Sequence, residues 1–165
     1  MNQVLQDLTL VVLIGVGATA VMDAWLMLLK QLNVPTLNFA LVGRWIGHAL
    51  RGRWKHEAIA RAEPIKGELA LGWLLHYSVG IAFAGVLVSI FGMEWARNPS
   101  LVPALLVGAG TVVAPLFVMQ PAMGSGVASS KTAAPTRNSF RSLANHTVFG
   151  AGLYFAAVLI EWIAR

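Results

Sequence analysis

Three ionisable side chains lie inside long apolar stretches of this sequence and are its first candidates for chemistry. They are Asp23, His76 and His146. A carboxylate and two imidazoles can take up and release protons or bind a small polar solute. Because an ionisable group in hydrocarbon costs at least a few kcal/mol, such residues are candidates for function by default. The alternative for each is a structural hydrogen bond to a neighbouring helix.

Two amides, Gln120 and Asn145, are expected near the same level. Pro115 and Pro121 can break the helix beside Gln120 and free carbonyl groups for a cavity. These five polar residues therefore form the predicted ligand or proton site.

Depth and spacing favour one common cavity for the three ionisable residues. Measured from the charged residue that ends each apolar stretch, Asp23, His76 and His146 lie roughly 8–12 Å deep at about 1.5 Å per residue. Each also lies on a stripe of small residues with a spacing of four, which places it at a helix contact. We expect the three side chains to meet in a solvated cavity that opens to the cytoplasm.

Other kinds of site find little support. The chain has no Cys, which excludes thiolate chemistry and cysteine zinc sites, and no metal ligand set is defined. His56 and Glu57 begin a string like HExxH, but Ala60 stands where the second histidine is needed. The string GSGVASSKT lacks the glycine before Lys131 that a phosphate loop requires, so it is interpreted as a flexible loop with some capacity for an anion. No catalytic residue is assigned, and enzyme activity stays undecided.

Composition and hydropathy describe the elements that must position these residues. The 165 residues are 57% hydrophobic and 12% charged, whereas soluble domains are about 25% charged. Apolar runs at about 8–30, 69–91, 101–120 and 143–163 are long enough to cross a bilayer as helices. The sequence predicts a single domain over 1–165, an all-α integral membrane four-helix bundle.

Basic residues set the predicted orientation. Of the 12 Lys and Arg residues, all but Arg97 and Arg165 lie in or beside the first and third connections. An excess of Lys and Arg marks cytoplasmic loops, so both connections are expected in the cytoplasm and both termini in the periplasm. A cleaved signal peptide ending near Ala20 is the alternative at the N-terminus, but the usual basic segment is missing.

A second basic pattern lies within the first loop, where Arg44, His48, Arg51 and Lys55 recur at spacings of 4, 3 and 4. With apolar residues between them, they predict an amphipathic helix over about 38–55 whose cations face lipid phosphates. A lid over the cavity or a partner-docking surface is the alternative. The net charge of +5 thus indicates a bilayer surface as partner and not a nucleic acid.

The two halves of the chain share a weak repeat. HYSVGIAFAGVL from His76 and HTVFGAGLYFAAVL from His146 both place a glycine four residues after the histidine. This pattern is typical of a duplicated two-helix hairpin, with chance similarity between apolar segments as the alternative.

Four segments also resemble a known family. GATAVMDAWLMLLK (17–30), VPTLNFALVGRWIGH (34–48), PLFVMQPAMGSG (115–126) and RSLANHTVFGAGLY (141–154) are similar to small bacterial four-span inner-membrane proteins known only as a domain of unknown function. The resemblance covers nearly the whole chain and implies a multi-pass protein of the bacterial inner membrane. It implies no reaction and no site residues.

Three functions remain open from the sequence. The first is binding or transport of protons or of an unidentified small solute, for which a homo-oligomer is expected because four helices enclose little space. The second is a structural or assembly subunit of a membrane complex. The third is a b-type haem protein with His76 and His146 as axial ligands, although no cofactor is expected. An enzyme acting on lipid-soluble substrates is a more distant alternative.

Overall fold

A computed structural model of the protein describes residues 2–164. All regular structure in this part of the chain is helical, which confirms the all-α prediction. The helices are α1 (Gln3–Gln31), α2 (Phe39–Ala49), α3 (Glu68–Arg97), α4 (Leu101–Gly110), α5 (Gln120–Met123) and α6 (Pro135–Ala164). A π-helical turn (Pro115–Met119) precedes α5, and two short 3-10 turns (Ile59–Arg61 and Val127–Ser129) lie in the connections.

Within the described chain, four helical stretches are long and apolar enough to cross a membrane: Gln3–Gln31, Glu68–Arg97, Leu101–Met123 and Pro135–Ala164. A bilayer core needs about 20 residues of helix, and each stretch exceeds that length. Many of their large apolar side chains are exposed, as expected of surfaces that face lipid. The prediction of four apolar helices of membrane-spanning length is confirmed.

The chain forms two compact units, and the first contains the described parts of 1–34, 77–111 and 144–165. Its four helical segments pack through small residues. A Cβ on Gly15 of α1 would lie 2.5 Å from the Cα of Ile81 in α3, and one on Gly17 would lie 2.8 Å from the Cβ of Ala156 in α6. Only glycine permits such close approach of helices, which is how helices associate in lipid.

The second unit contains 35–76 and 112–143. Here α2 lies against the first turns of α3, because Gly43 and Gly72 leave no space for a side chain between the two backbones. Val42, Trp45, Ile59 and Met123 form its buried core.

The structure ends α2 at Ala49, whereas the sequence predicts a helix to residue 55. Gly52 takes a left-handed conformation with φ +85°, which stops the helix. The indole N–H of Trp45 then donates to the carbonyl of Trp54 at 2.9 Å, so the chain folds back along the helix.

Candidate functional site

The first polar contact in the apolar helices joins α1 to α3. The hydroxyl of Tyr77 donates a hydrogen bond to Oδ2 of Asp23 at 2.8 Å, and both side chains are half-buried. Asp23 precedes Lys30 by seven residues, which is about 10 Å along the helix. The carboxylate therefore has a polar partner on a neighbouring helix instead of facing lipid.

The second contact joins α1 to α6. The indole N–H of Trp25 donates to Oδ1 of Asn145 at 3.0 Å. From the sequence, Trp25 fits an interfacial aromatic belt, and the structure gives its polar end an amide acceptor within the protein. Asn145 of the predicted site is thus placed opposite the helix that carries Asp23.

The third contact joins the end of α4 to α6. Oγ1 of Thr111 and Nδ1 of His146 are 2.8 Å apart, and the threonine hydroxyl also donates to the carbonyl of Gly108 at 2.6 Å. Which of these two atoms donates to the other depends on the tautomer of the ring.

These three contacts lie in the first unit and link its four helical segments through side chains. Thr111 is buried. Interhelical hydrogen bonds of this kind contribute on average about 0.6 kcal/mol each in membranes. The arrangement can therefore stabilise the packing of these helices.

The other two predicted site residues belong to the second unit. The ring of His76 packs against the rings of Phe39 and Trp73, at centroid distances of 4.6 and 5.8 Å. Gln120 accepts a hydrogen bond from the hydroxyl of Ser129 at 3.0 Å. Their convergence with Asp23 and His146 in one cavity stays a prediction.

The basic residues of α2 and the following loop divide into two pairs. Arg44 forms two short bonds to the carboxylate of Glu68, at 2.8 and 2.9 Å, and this hydrogen bonding raises the pKa of Arg44. Nε2 of His48 lies 2.9 Å from the carbonyl oxygen of Glu63. Arg44 therefore binds the start of α3, and it also donates to the carbonyls of Ala60 and Ala62 in the loop. Arg51 and Lys55 are exposed, and their binding to lipid phosphates stays a prediction.

A shallow cleft of about 400 Å³ lies at the turn between α3 and α4. It is lined by Arg97, Asn98, Pro99, Val158, Glu161 and Trp162. Arg97 is paired with Asp7 at the start of α1.

Sequence reasoning missed Tyr77 and Thr111 as partners in the site. Tyr77 follows His76 directly and lies at a similar depth, so the depth argument applied to His76 also selects it. Thr111 follows α4, and nothing in the sequence marks it as a partner of His146. Threonines in apolar helices commonly form hydrogen bonds to the backbone of their own helix.

Four apolar stretches of spanning length, joined by polar contacts between helices, define an all-helical bundle of membrane type. Residues 12–160 match the family described as "Protein of unknown function (DUF2938)", and the chain belongs to this family. Comparisons with curated proteins and with solved structures gave no match. Membership confirms the resemblance to a family of unknown function and brings no reaction with it.

Proposed function

We propose that this protein exchanges protons, or binds a small polar solute, at Asp23 within its apolar helices. The observation that carries the proposal is the hydrogen bond from Tyr77 to Asp23. An acidic side chain in an apolar span is costly to insert, and intramembrane carboxylates are typical of proton and solute pathways. A hydroxyl that donates to the carboxylate orients it without neutralising its charge, so the carboxylate stays able to accept a proton or a solute donor.

The other two contacts support the same proposal. His146 adds an imidazole on α6, and Asn145 and Trp25 provide neutral hydrogen-bonding groups on neighbouring helices. In the proposed mechanism, protons or solute reach Asp23 from the cytoplasm, the side assigned by the basic loops. Because four helices enclose little space, a transport path for a solute larger than a proton is proposed to need a homo-oligomer.

A structural or assembly role is the second candidate, and a specific observation favours it. Each of the three contacts joins two different helices, so Asp23, Asn145 and His146 all have a partner that a purely structural residue needs. Under this alternative, the polar residues specify which helices pack together and have no part in exchange.

Proton flux into liposomes separates the two candidates. Purified protein is reconstituted with a pH-sensitive dye inside the vesicles, and a potassium gradient with valinomycin drives proton entry. We expect flux above that of empty vesicles, and we expect Asp23→Asn to abolish it, because the amide keeps the shape and loses the exchangeable charge. Asp7→Asn is the matched control, since Asp7 pairs with Arg97 at the start of α1. Equal flux in parent and Asp23→Asn would overturn proton exchange at Asp23.

A further inference from the structure

His56 is a buried histidine that the candidate site does not use. Its side chain is 7% exposed, and neither ring nitrogen has a hydrogen-bond partner. Leaving a buried polar group without a hydrogen bond destabilises the folded state, so this position calls for a physical explanation.

His56 lies where the first loop meets the end of the third span. Its backbone N–H donates to the carbonyl of Ala122 at 2.8 Å. The carbonyl of Glu57 occupies the place where a side chain on Gly124 would lie, and Gly124 has a left-handed φ of +97°. We call residues 56–57 with 122–124 the joint.

The charged and titratable groups facing His56 favour its neutral form. Arg53 faces it from its own segment, and His48 faces it from α2 with ring centroids 5.1 Å apart. The third span contributes no titratable group, because residues 120–124 read Gln-Pro-Ala-Met-Gly. Burial first, then Arg53 and His48, lower the pKa of His56 below its ordinary value of 6.5, against a smaller opposite effect of the hydrogen bond to Ala122.

A metal ion does not account for the two unsatisfied nitrogens. The described residues contain no group of three or more His, Cys, Asp or Glu side chains that could hold a metal, and the charge of Arg53 opposes a cation. Protonation would place a positive charge on this ring, and a buried imidazole beside a guanidinium can hold that charge only by reaching water.

We propose that the joint is a pH-sensitive latch, closed while His56 is neutral and opened by acid as the protonated ring moves into solvent. Opening breaks the bond from His56 to Ala122 and releases the segment that begins at the end of the third span. His56 binds a proton less readily in the closed joint than in the open one. The stability that the neutral ring gives to the closed joint is therefore complete above pH 6.5 and is lost as the pH falls below that value. Compared with a pH well above 6.5, the population of the open joint rises by up to about thirtyfold at pH 5. This upper limit applies if His56 never binds a proton in the closed joint.

Thiol labelling measures this opening cleanly, because the chain has no Cys of its own. Met123→Cys places a reporter in the closed joint, where Met123 is 8% exposed. Val127→Cys is the reference, since Val127 is 51% exposed and reacts at every pH. The ratio of the two labelling rates removes the pH dependence of the thiol itself. We expect this ratio to be low at pH 8 and to rise at pH 5, by no more than about thirtyfold.

His56→Gln and His56→Phe, each combined with Met123→Cys, test the assignment to this imidazole. Neither replacement titrates, so we expect their ratios to stay constant between pH 8 and pH 5. A constant ratio in the parent, or the same acid rise in a folded His56 variant, overturns the proposal. If both variants fail to fold, hydrogen exchange of the His56 amide in the unmodified protein decides instead. Faster exchange in acid, after correction for the intrinsic rate, supports the latch, and unchanged protection overturns it.

Discussion

Replacing Gly15 with alanine tests whether the close approach of α1 and α3 holds Asp23 and Tyr77 together. The new Cβ would lie 2.5 Å from the Cα of Ile81. Carbon atoms pack at about 3.5–4.0 Å, so the helices must separate by roughly 1 Å. A rigid separation of that size lengthens the 2.8 Å bond from Tyr77 to Asp23 beyond the range of a hydrogen bond. We expect a loss of about 2 kcal/mol from overpacking, which corresponds to roughly 4–8 °C in a chain of this size.

Thermal unfolding in detergent measures the effect, with Gly85→Ala as the matched control. Gly85 lies at the same pair of helices, but its added Cβ meets only Val11, at an ordinary 4.0 Å. We expect Gly85→Ala to leave the midpoint unchanged or to raise it. In a double-mutant cycle, Tyr77→Phe should cost about 0.6–1.7 kcal/mol in the parent and almost nothing beside Gly15→Ala, because the bond is already broken. An unchanged midpoint for Gly15→Ala, or additive effects in the cycle, would refute the reasoning.

Three further predictions concern the cofactor, the orientation and the loop. Protein purified from haem-replete cells is expected to be colourless; a Soret band lost in both His76→Ala and His146→Ala would show a haem protein instead. Reporter fusions after Arg53 and Ser130 are expected to read cytoplasmic, and a fusion at the C-terminus periplasmic; a periplasmic signal after Arg53 would reverse the orientation. Lowering the pH from 7.5 to 5.5 should reduce the unfolding midpoint of the parent more than that of His56→Gln, since the lowered pKa of His56 makes the native state resist protonation. Equal losses in the two proteins would contradict this.

The helical class and the four spans could be predicted because the bilayer imposes one length and one kind of side chain on each crossing segment. The end of α2 could not, because the polar spacing continues to Lys55 while the backbone of Gly52 stops the helix earlier. Periodicity reports which side chains share a face, and it does not report where a glycine turns the chain.

The candidate site could likewise be predicted only in part. Small-residue stripes predict helix contacts for Asp23 and His146, and the structure gives each side chain a hydrogen-bonding partner from another helical segment. Their partners depend on the rotation of neighbouring helices, which the sequence does not specify, so Tyr77 and Thr111 were missed. The lack of hydrogen-bond partners at the ring nitrogens of His56 could not be predicted either, since it results from the packing of two segments far apart in the chain.

The central claim is that Asp23 exchanges a proton inside the apolar helices. Infrared difference spectra of the reconstituted protein, recorded from pH 4 to pH 9, measure the carboxyl group directly. Subtracting the spectra of Asp23→Asn isolates the contribution of this one residue. We expect the difference spectra to show proton uptake by this carboxyl group in the parent and none in Asp23→Asn. Identical titrations in the two proteins would contradict it and would leave Asp23 as a structural partner of Tyr77.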